Sequence, residues 1–348
     1  MLLSLFVTSD REAKDTHPVT PAMLGTQAIG EVASVAEGVY QLKLPVPLPL
    51  RFISVYLIQG DNGWTIVDAG FDYPETYEVW GRAAATLGLD LDRDIERIVV
   101  THFHPDHLGA ARWLQERSGA PVMMLEEEIE FSQRIWTRRD GPEPFIEHLS
   151  RHGMPHETAN AAAEALRTGL ALPEEMTPLQ VGEKLDVGGG LVRVLLAPGH
   201  ADHQLLLHDE GRRILYAADH ILLKITPNIG LWPENAPHPL ARYLDSLDDL
   251  RSLDVDLVLP GHGPVFHDLA GRIEELEHHH EERLELMRGH LTDGHKSASE
   301  VSASVFREDL SIYEKCFALA ETLAHLDHLE VQNRVERIEG DTITYIAA

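Results

Sequence analysis

Between Val32 and Ala69 apolar and polar positions alternate in short runs, the two-residue period of half-buried strands. Val39–Leu44 is one such run; prolines 45, 47 and 49 interrupt it, and Phe52–Ile58 and Trp64–Val67 resume it. Asp61-Asn62-Gly63 between the last two supplies the residue types of a hairpin turn. The spacing then lengthens. Glu75–Leu87 and Leu108–Ser118 read as helices, and the short apolar run Arg97–Thr101 between them reads as a buried strand. Residues 126–172 read as mostly helical, broken at Asp140-Gly141-Pro142 and at Gly153-Met154-Pro155. Strands return at Lys184–Val187, Leu191–Leu196, Gln204–His208, Arg213–Tyr216 and Val255–Leu259, with a helix at Leu240–Leu250.

After about residue 268 the texture changes to helices at Ile273–Met287, Ser299–Val305 and Phe317–Leu329. A closing hairpin from Arg334–Glu339 and Thr342–Ile346 completes a winged-helix outline. Three parts follow: a loosely ordered arm over residues 1–28, a body over 29–267 with a helical insertion at about 126–172, and a winged-helix-like part over 268–348. Strand pairs mixed with single helices in two halves predict an α/β sheet sandwich covered by helices.

The charge balance narrows the partners. Lys plus Arg number 29 against 57 Asp plus Glu, a net charge of −28, which repels phosphate backbones and disfavours nucleic acid. Cys316 is the one cysteine, so no intrachain disulfide and no thiolate zinc site can form; in its apolar helix it reads as core. Met1–Val7 is apolar like the start of a secretory signal. No basic segment precedes it, however, and Asp10, Arg11, Glu12 and Lys14 follow at once. No run of 18 apolar residues suggests a membrane span, so no membrane partner and a cytoplasmic location are the expectations.

There are 21 histidines. Thr101-His102-Phe103-His104-Pro105-Asp106-His107-Leu108-Gly109 places four metal-capable side chains within six residues, directly after a buried strand. His102 and His104, two apart in an extended segment, point to one side, and Asp106 and His107 lie across the turn at Pro105. Neutral imidazoles suit zinc, and carboxylates add harder oxygen donors. His200 in Ala197-Pro198-Gly199-His200, Asp219 in Ala217-Ala218-Asp219 and His262 in Pro260-Gly261-His262-Gly263 each follow an apolar strand. Strand ends of this kind present functional side chains from a rigid scaffold, and small neighbours allow close approach. By contrast His278, His279 and His280 point about 100° apart on a helix and read as a solvated face.

With these residues in place the sequence resembles the metallo-β-lactamase superfamily: His-x-His-x-Asp-His, then a His, an Asp and a His at successive strand ends. The resemblance covers about residues 30–267, and Val67-Asp68-Ala69-Gly70 matches a further strand-end Asp. It implies a four-layer αβ/βα sandwich with a two-metal site at its rim. It also implies that His102, His104 and His200 bind one metal and that Asp106, His107 and His262 bind the other. Asp219 would bridge the two, and Asp68 would orient a ligand imidazole. Two Zn2+ are the default, with iron or manganese as alternatives, and a metal-bridging hydroxide would attack an ester-type bond. Asp106 and Asp219 would be the catalytic carboxylates.

The remaining residues bear on the substrate. The 126–172 insertion reads as an amphipathic lid, and Ile221–Trp232, directly after Asp219, is apolar apart from Lys224. Trp136, Lys224, Ile225 and Trp232 are therefore the expected substrate contacts. They favour a small molecule with an apolar part, such as a thioester or lactone. The C-terminal part resembles the lactamase-β-2-like branch, whose members carry a winged-helix-like domain, and some of which cleave single-stranded RNA. Its run of glutamates (274, 275, 277, 281, 282 and 285) and its lack of a basic stripe place an endoribonuclease or phosphodiesterase second. Packing on the body, shaping the pocket mouth or making a contact between copies of a homo-oligomer are its expected roles. A mono-iron persulfide dioxygenase is a third reading. A di-iron flavoprotein is disfavoured by His104, where that branch has Glu, and a non-enzymatic binding module by the intact ligand set.

Overall fold

The computed structural model describes residues 25–47, 50–138, 141–166 and 169–348; the expected N-terminal arm lies outside them as far as residue 24. Seven strands form the first sheet in chain order: β1 (Val32–Ala36), β2 (Val39–Pro45), β3 (Phe52–Gln59), β4 (Trp64–Val67), β5 (Ile95–Val99), β6 (Val122–Leu125) and β7 (Met176–Leu179). β1 to β4 pair antiparallel and β4 to β7 parallel. A second sheet runs β12-β11-β10-β9-β8, from β8 (Lys184–Val187), β9 (Gly190–Leu196), β10 (Leu205–Asp209), β11 (Ile214–Ala218) and β12 (Leu257–Pro260).

The two-residue period decides which face meets which layer. On β3, Ile53, Val55 and Leu57 pack with Trp80, Ala83 and Leu114 under the helices α1 (Pro74–Leu87) and α3 (Ala111–Ser118). Tyr56 and Ile58 point the other way, into a layer with Leu205, Leu207, Ile214 and Tyr216 of the second sheet. Leu206, Leu215 and Ala217 alternate out of that layer toward α7 (Pro239–Arg251) and α8 (Leu269–Gly289). A one-residue slip of any of these strands would reverse its faces. The result is the expected four-layer α/β sandwich.

Two strands escape the periodicity. β6 is only four residues long, and β7 contains Pro178, which lacks the N–H for a ladder on one side and is tolerated because β7 is an edge. The expected helix Leu108–Ser118 is two helices, α2 (Pro105–Leu108) and α3, parted at Gly109-Ala110. A Cβ on Gly109 would lie 2.3 Å from the Pro105 carbonyl oxygen and 2.6 Å from the Asp72 nitrogen, so the backbone passes there only without a side chain. The insertion forms α4 (Glu126–Trp136), α5 (Glu143–Arg151) and α6 (His156–Ala165).

The chain ends with α8, β13 (Lys296–Ser297), α9 (Ala298–Val305), α10 (Ile312–Val331), β14 (Val335–Ile338) and β15 (Thr344–Ala347), the last two in a hairpin that β13 extends. Capping boxes Ser297/Glu300 and Ser311/Glu314 start α9 and α10. Leu284, Met287, Leu319, Leu323 and Tyr345 belong to one apolar cluster with Leu149 of α5, Ala162 of α6 and Leu247 of α7. The C-terminal part thus shares its core with the body and the insertion. Among the described residues no helix is long and apolar enough to cross a membrane.

The solvated reading of His278–His280 holds for His278, which is exposed, but His280 is buried. His325 Nδ1 donates to the Glu321 carbonyl (2.8 Å), and its Nε2 accepts from His280 Nδ1 at 3.1 Å. Burial holds the His280 pKa well below 6.5 and pushes that of His325 down to about 3, with neighbouring charges on the same side. The unfolded chain therefore binds protons below pH 6.5 that the folded pair refuses, so this contribution is complete above 6.5 and drains as pH falls. Stability should therefore fall with pH below 6.5, by up to one proton for each of the two groups. In denaturant titrations at pH 7 and pH 5, His280→Gln/His325→Gln should lose that part of the slope. An unchanged slope would mean that the pair does not resist protonation.

Candidate metal centre

The seven motif residues and Asp68 come from five chain segments that meet at one end of the sandwich. β4 and β5 run parallel and deliver Asp68 and residues 101–107; β11 and β12 run parallel and deliver Asp219 and His262; β9 delivers His200. In α/β sheets this end, beyond the carboxyl termini of parallel strands, is where ligands bind.

Asp68 fixes the first loop. Its backbone is left-handed (φ 64°), which turns its buried carboxylate under the motif. Oδ1 accepts from Thr101 N at 2.8 Å, and Oδ2 accepts from Thr101 Oγ1 at 3.0 Å and from His107 Nδ1 at 2.8 Å. With Nδ1 donating, His107 Nε2 faces the site and is the atom that a metal would take. His200 and His262 are set in the same way by backbone carbonyls, Nδ1 of each donating to Asn228 (2.9 Å) and Phe52 (2.8 Å) respectively.

Two triads result. His104 Nδ1 lies 2.9 Å from His102 Nε2 and 3.0 Å from His200 Nε2, so three imidazole nitrogens converge on one point. Asp106, His107 and His262 form the other, their ligand atoms within 4.8 Å of one another. Asp219 sits between them. Oδ2 is 3.6 Å from His200 Nε2 and 3.3 Å from His262 Nε2, while Oδ1 is 3.5 Å from His107 Nε2.

The electrostatics of the triads differ. Burial lowers His102, His104 and His200, His104 to about 3, so all three are neutral with free lone pairs. Burial would also lower His262, but the Asp219 and Asp106 carboxylates override it and push its pKa up to about 10. His107 is raised against the same burial by Asp68, Asp219 and Asp106. Asp106 is held down to about 2 and Asp219 well below the carboxylate range, in both cases against desolvation, by His107 and His262. The second triad therefore concentrates carboxylate charge that favours cations, protons on its imidazoles included. His107 Nε2, His262 Nε2 and Asp219 Oδ1 are all buried without a hydrogen-bond partner. Buried polar atoms without partners are costly unless something coordinates them, and a divalent metal in each triad fits the donor set.

Other residues found here carried no sequence signal. Glu128 of α4 is fully buried, and its Oε1 accepts from Phe103 N at 2.8 Å. This side chain so ties the loop of His102 and His104 to α4. Burial pushes its pKa up to about 8. Tyr313 opens α10 with its ring against Phe317 at 4.7 Å, and burial together with the Asp106 charge raises its pKa, so the phenol stays protonated.

The expected substrate contacts are dispersed. The Trp136 indole donates to the Phe103 carbonyl at 2.9 Å, beside the motif. Trp232 stands elsewhere, between Phe145 of α5 (6.2 Å) and Phe317 of α10 (5.2 Å). Lys224 is exposed, and Ile225 is buried with its carbonyl accepting from Arg272 at 3.0 Å. Ile221, Leu222 and Ile229 are buried as well, so much of the 221–232 segment packs inward instead of forming an open wall.

Comparison with known proteins follows the same lines. The family model of the metallo-beta-lactamase superfamily matches residues 48–262, and that of the metallo-beta-lactamase-like C-terminal domain matches 284–347. "Probable metallo-hydrolase YqjP" of Bacillus subtilis (strain 168) is 29% identical over 323 residues, 89% of this chain and 98% of that protein. The crystal structure of a metallo-beta-lactamase family protein from Thermus thermophilus is 34% identical with a TM-score of 0.80, over 90% of this chain and 100% of that one. A beta-lactamase domain protein from Burkholderia ambifaria is 32% identical with a TM-score of 0.83, over 92% and 95%. With motif, fold and relatives in agreement, the chain belongs to the metallo-β-lactamase superfamily and is a metallo-hydrolase of that kind.

Proposed function

We propose that this is a two-metal hydrolase, zinc by default, that cleaves an ester-type bond in a small molecule, with a thioester or lactone favoured. The observation that carries this reading is the Asp219 carboxylate between the two triads, 3.3–3.6 Å from nitrogens of both. His102, His104 and His200 would hold one ion, and Asp106, His107 and His262 the other. When bound, such a pair acidifies water and polarises a carbonyl.

The chain's own residues supply the rest. Asp106 and Asp219 place two negative charges where two dications would otherwise repel. Asp68 keeps the His107 lone pair aimed inward through its 2.8 Å hydrogen bond. Tyr313 offers a protonated phenol on the side of Asp106, suited to donating to a substrate oxygen. Trp136, against Phe103, is the aromatic side chain best placed to meet the apolar part of a substrate, with Trp232 further along the C-terminal side. The complete second triad favours this reading over a mono-iron dioxygenase, and the net charge of −28 favours a small substrate over RNA.

Protein purified without chelator should hold close to two metals per chain by elemental analysis. No metal, and none taken up on titration with zinc, would sink the proposal. A panel of thioesters, lactones, β-lactams, phosphodiesters and RNA on the zinc-loaded protein identifies the bond cleaved.

A further inference from the structure

The first triad is anchored from an unexpected direction. His200 owes its orientation to the Asn228 backbone carbonyl, which accepts from its Nδ1 at 2.9 Å. Asn228 lies in the segment after Asp219, and α10 grips that segment at several points. The Asn228 side-chain amide donates to Glu321 Oε2 at 3.2 Å and approaches the Phe317 carbonyl at 3.5 Å. Leu231 N donates to the Ala320 carbonyl at 2.9 Å. Glu321 is 1% exposed, and its other oxygen is buried without a hydrogen-bond partner. A carboxyl group is costly to bury in an apolar helix core, and a helix that only needed to pack would carry an apolar residue there.

We propose that Glu321 is a positioning residue for the first triad: it holds Asn228 where the Asn228 carbonyl fixes the tautomer and direction of His200. The C-terminal part thereby completes the metal site that the body carries. Partners that orient a ligand imidazole from behind commonly set metal affinity by about ten- to a hundredfold. The reading rests on His200 being a metal ligand, and the test separates the two.

Zinc affinity of the full-length protein is measured by competition with a chromophoric chelator for the wild type, Glu321→Ala, Glu321→Gln, Asn228→Ala, Asn228→Ala/Glu321→Ala and His200→Ala. Thermal unfolding of the metal-free forms runs alongside. Glu321→Ala should weaken one of the two zinc ions by about tenfold or more and leave the other within about twofold. Asn228→Ala should do the same, and the double variant should lose no more than either single one, because both break one connection. Glu321→Gln keeps an acceptor of the same shape and should stay close to the wild type, which a loss through general loosening of α10 would not show. Wild-type zinc affinity in Glu321→Ala or Asn228→Ala, or additive losses in the double variant, overturns the proposal. If Glu321→Ala does not fold, Asn228→Ala decides alone, since it leaves α10 untouched. Wild-type binding of both zinc ions by His200→Ala would instead remove the metal reading. Loss of a zinc there, with none in the other variants, removes only the role of Glu321.

Discussion

Asp219→Asn should keep the fold and lose the chemistry. The amide matches the carboxylate in shape, so packing around this buried position changes little. What disappears is the charge between the two triads, a carboxylate within 3.6 Å of nitrogens in both. His262, whose pKa the carboxylates push up to about 10, loses its main counter-charge, and His107 loses the second after Asp68. The second metal should loosen, and the fall should lie mainly in kcat, by about a hundredfold or more, equivalent to about 2.7 kcal/mol of transition-state stabilisation. Steady-state kinetics on the substrate identified by the panel, with metal content measured on the same samples, checks this. Full activity with both metals retained would show that Asp219 is not the centre of the site.

Gly261→Ala should damage the same centre by a single methyl group. A Cβ there would stand 2.3 Å from Asp219 Oδ1 and 3.1 Å from His107 Cε1. Gly261 cannot retreat, because its N–H donates to the Ala218 carbonyl at 2.7 Å and its carbonyl accepts from Ser54 N at 2.7 Å, locking β12 to β11 and β3. The Asp219 carboxylate must therefore move by about 1 Å, and displacements of that size in a site cost on the order of a hundredfold in rate. Loss of one metal per chain should accompany the loss of rate. Gly81→Ala, on α1 with nothing within 4 Å of the added methyl, is the control and should match the wild type in both. Equal metal content and activity in the two variants would show that the Asp219 pocket is looser than its geometry indicates.

Much of the body was legible because its strands are short and two-faced. Ile53, Val55 and Leu57 against Tyr56 and Ile58 is a pattern that only a strand between two apolar layers produces. The limits of that reading are physical too. Pro178 hides β7, since a proline in a strand shows itself as permissible only when the strand proves to be an edge. His280 reads as solvated because three successive histidines on a helix diverge by about 100° and cannot share one metal, yet its side of α8 faces His325 of α10.

The candidate ligands were legible as a set because they follow successive strand ends in order; His200, Asp219 or His262 alone reads as an ordinary polar residue at a strand end. That order in the chain, and the resemblance it carries, is a property of the sequence alone. Which atoms converge was decided by the tertiary structure. Asp68 and His107 are 39 residues apart, Phe103 and Glu128 25, and Asn228 and Glu321 93, and nothing local marks Glu128 among three successive glutamates or Glu321 in a helix of ordinary pattern. Periodicity reports which side of an element is apolar. Only the packed structure decides what that side meets, because a buried carboxyl becomes useful or costly according to the one N–H that a distant segment brings to it.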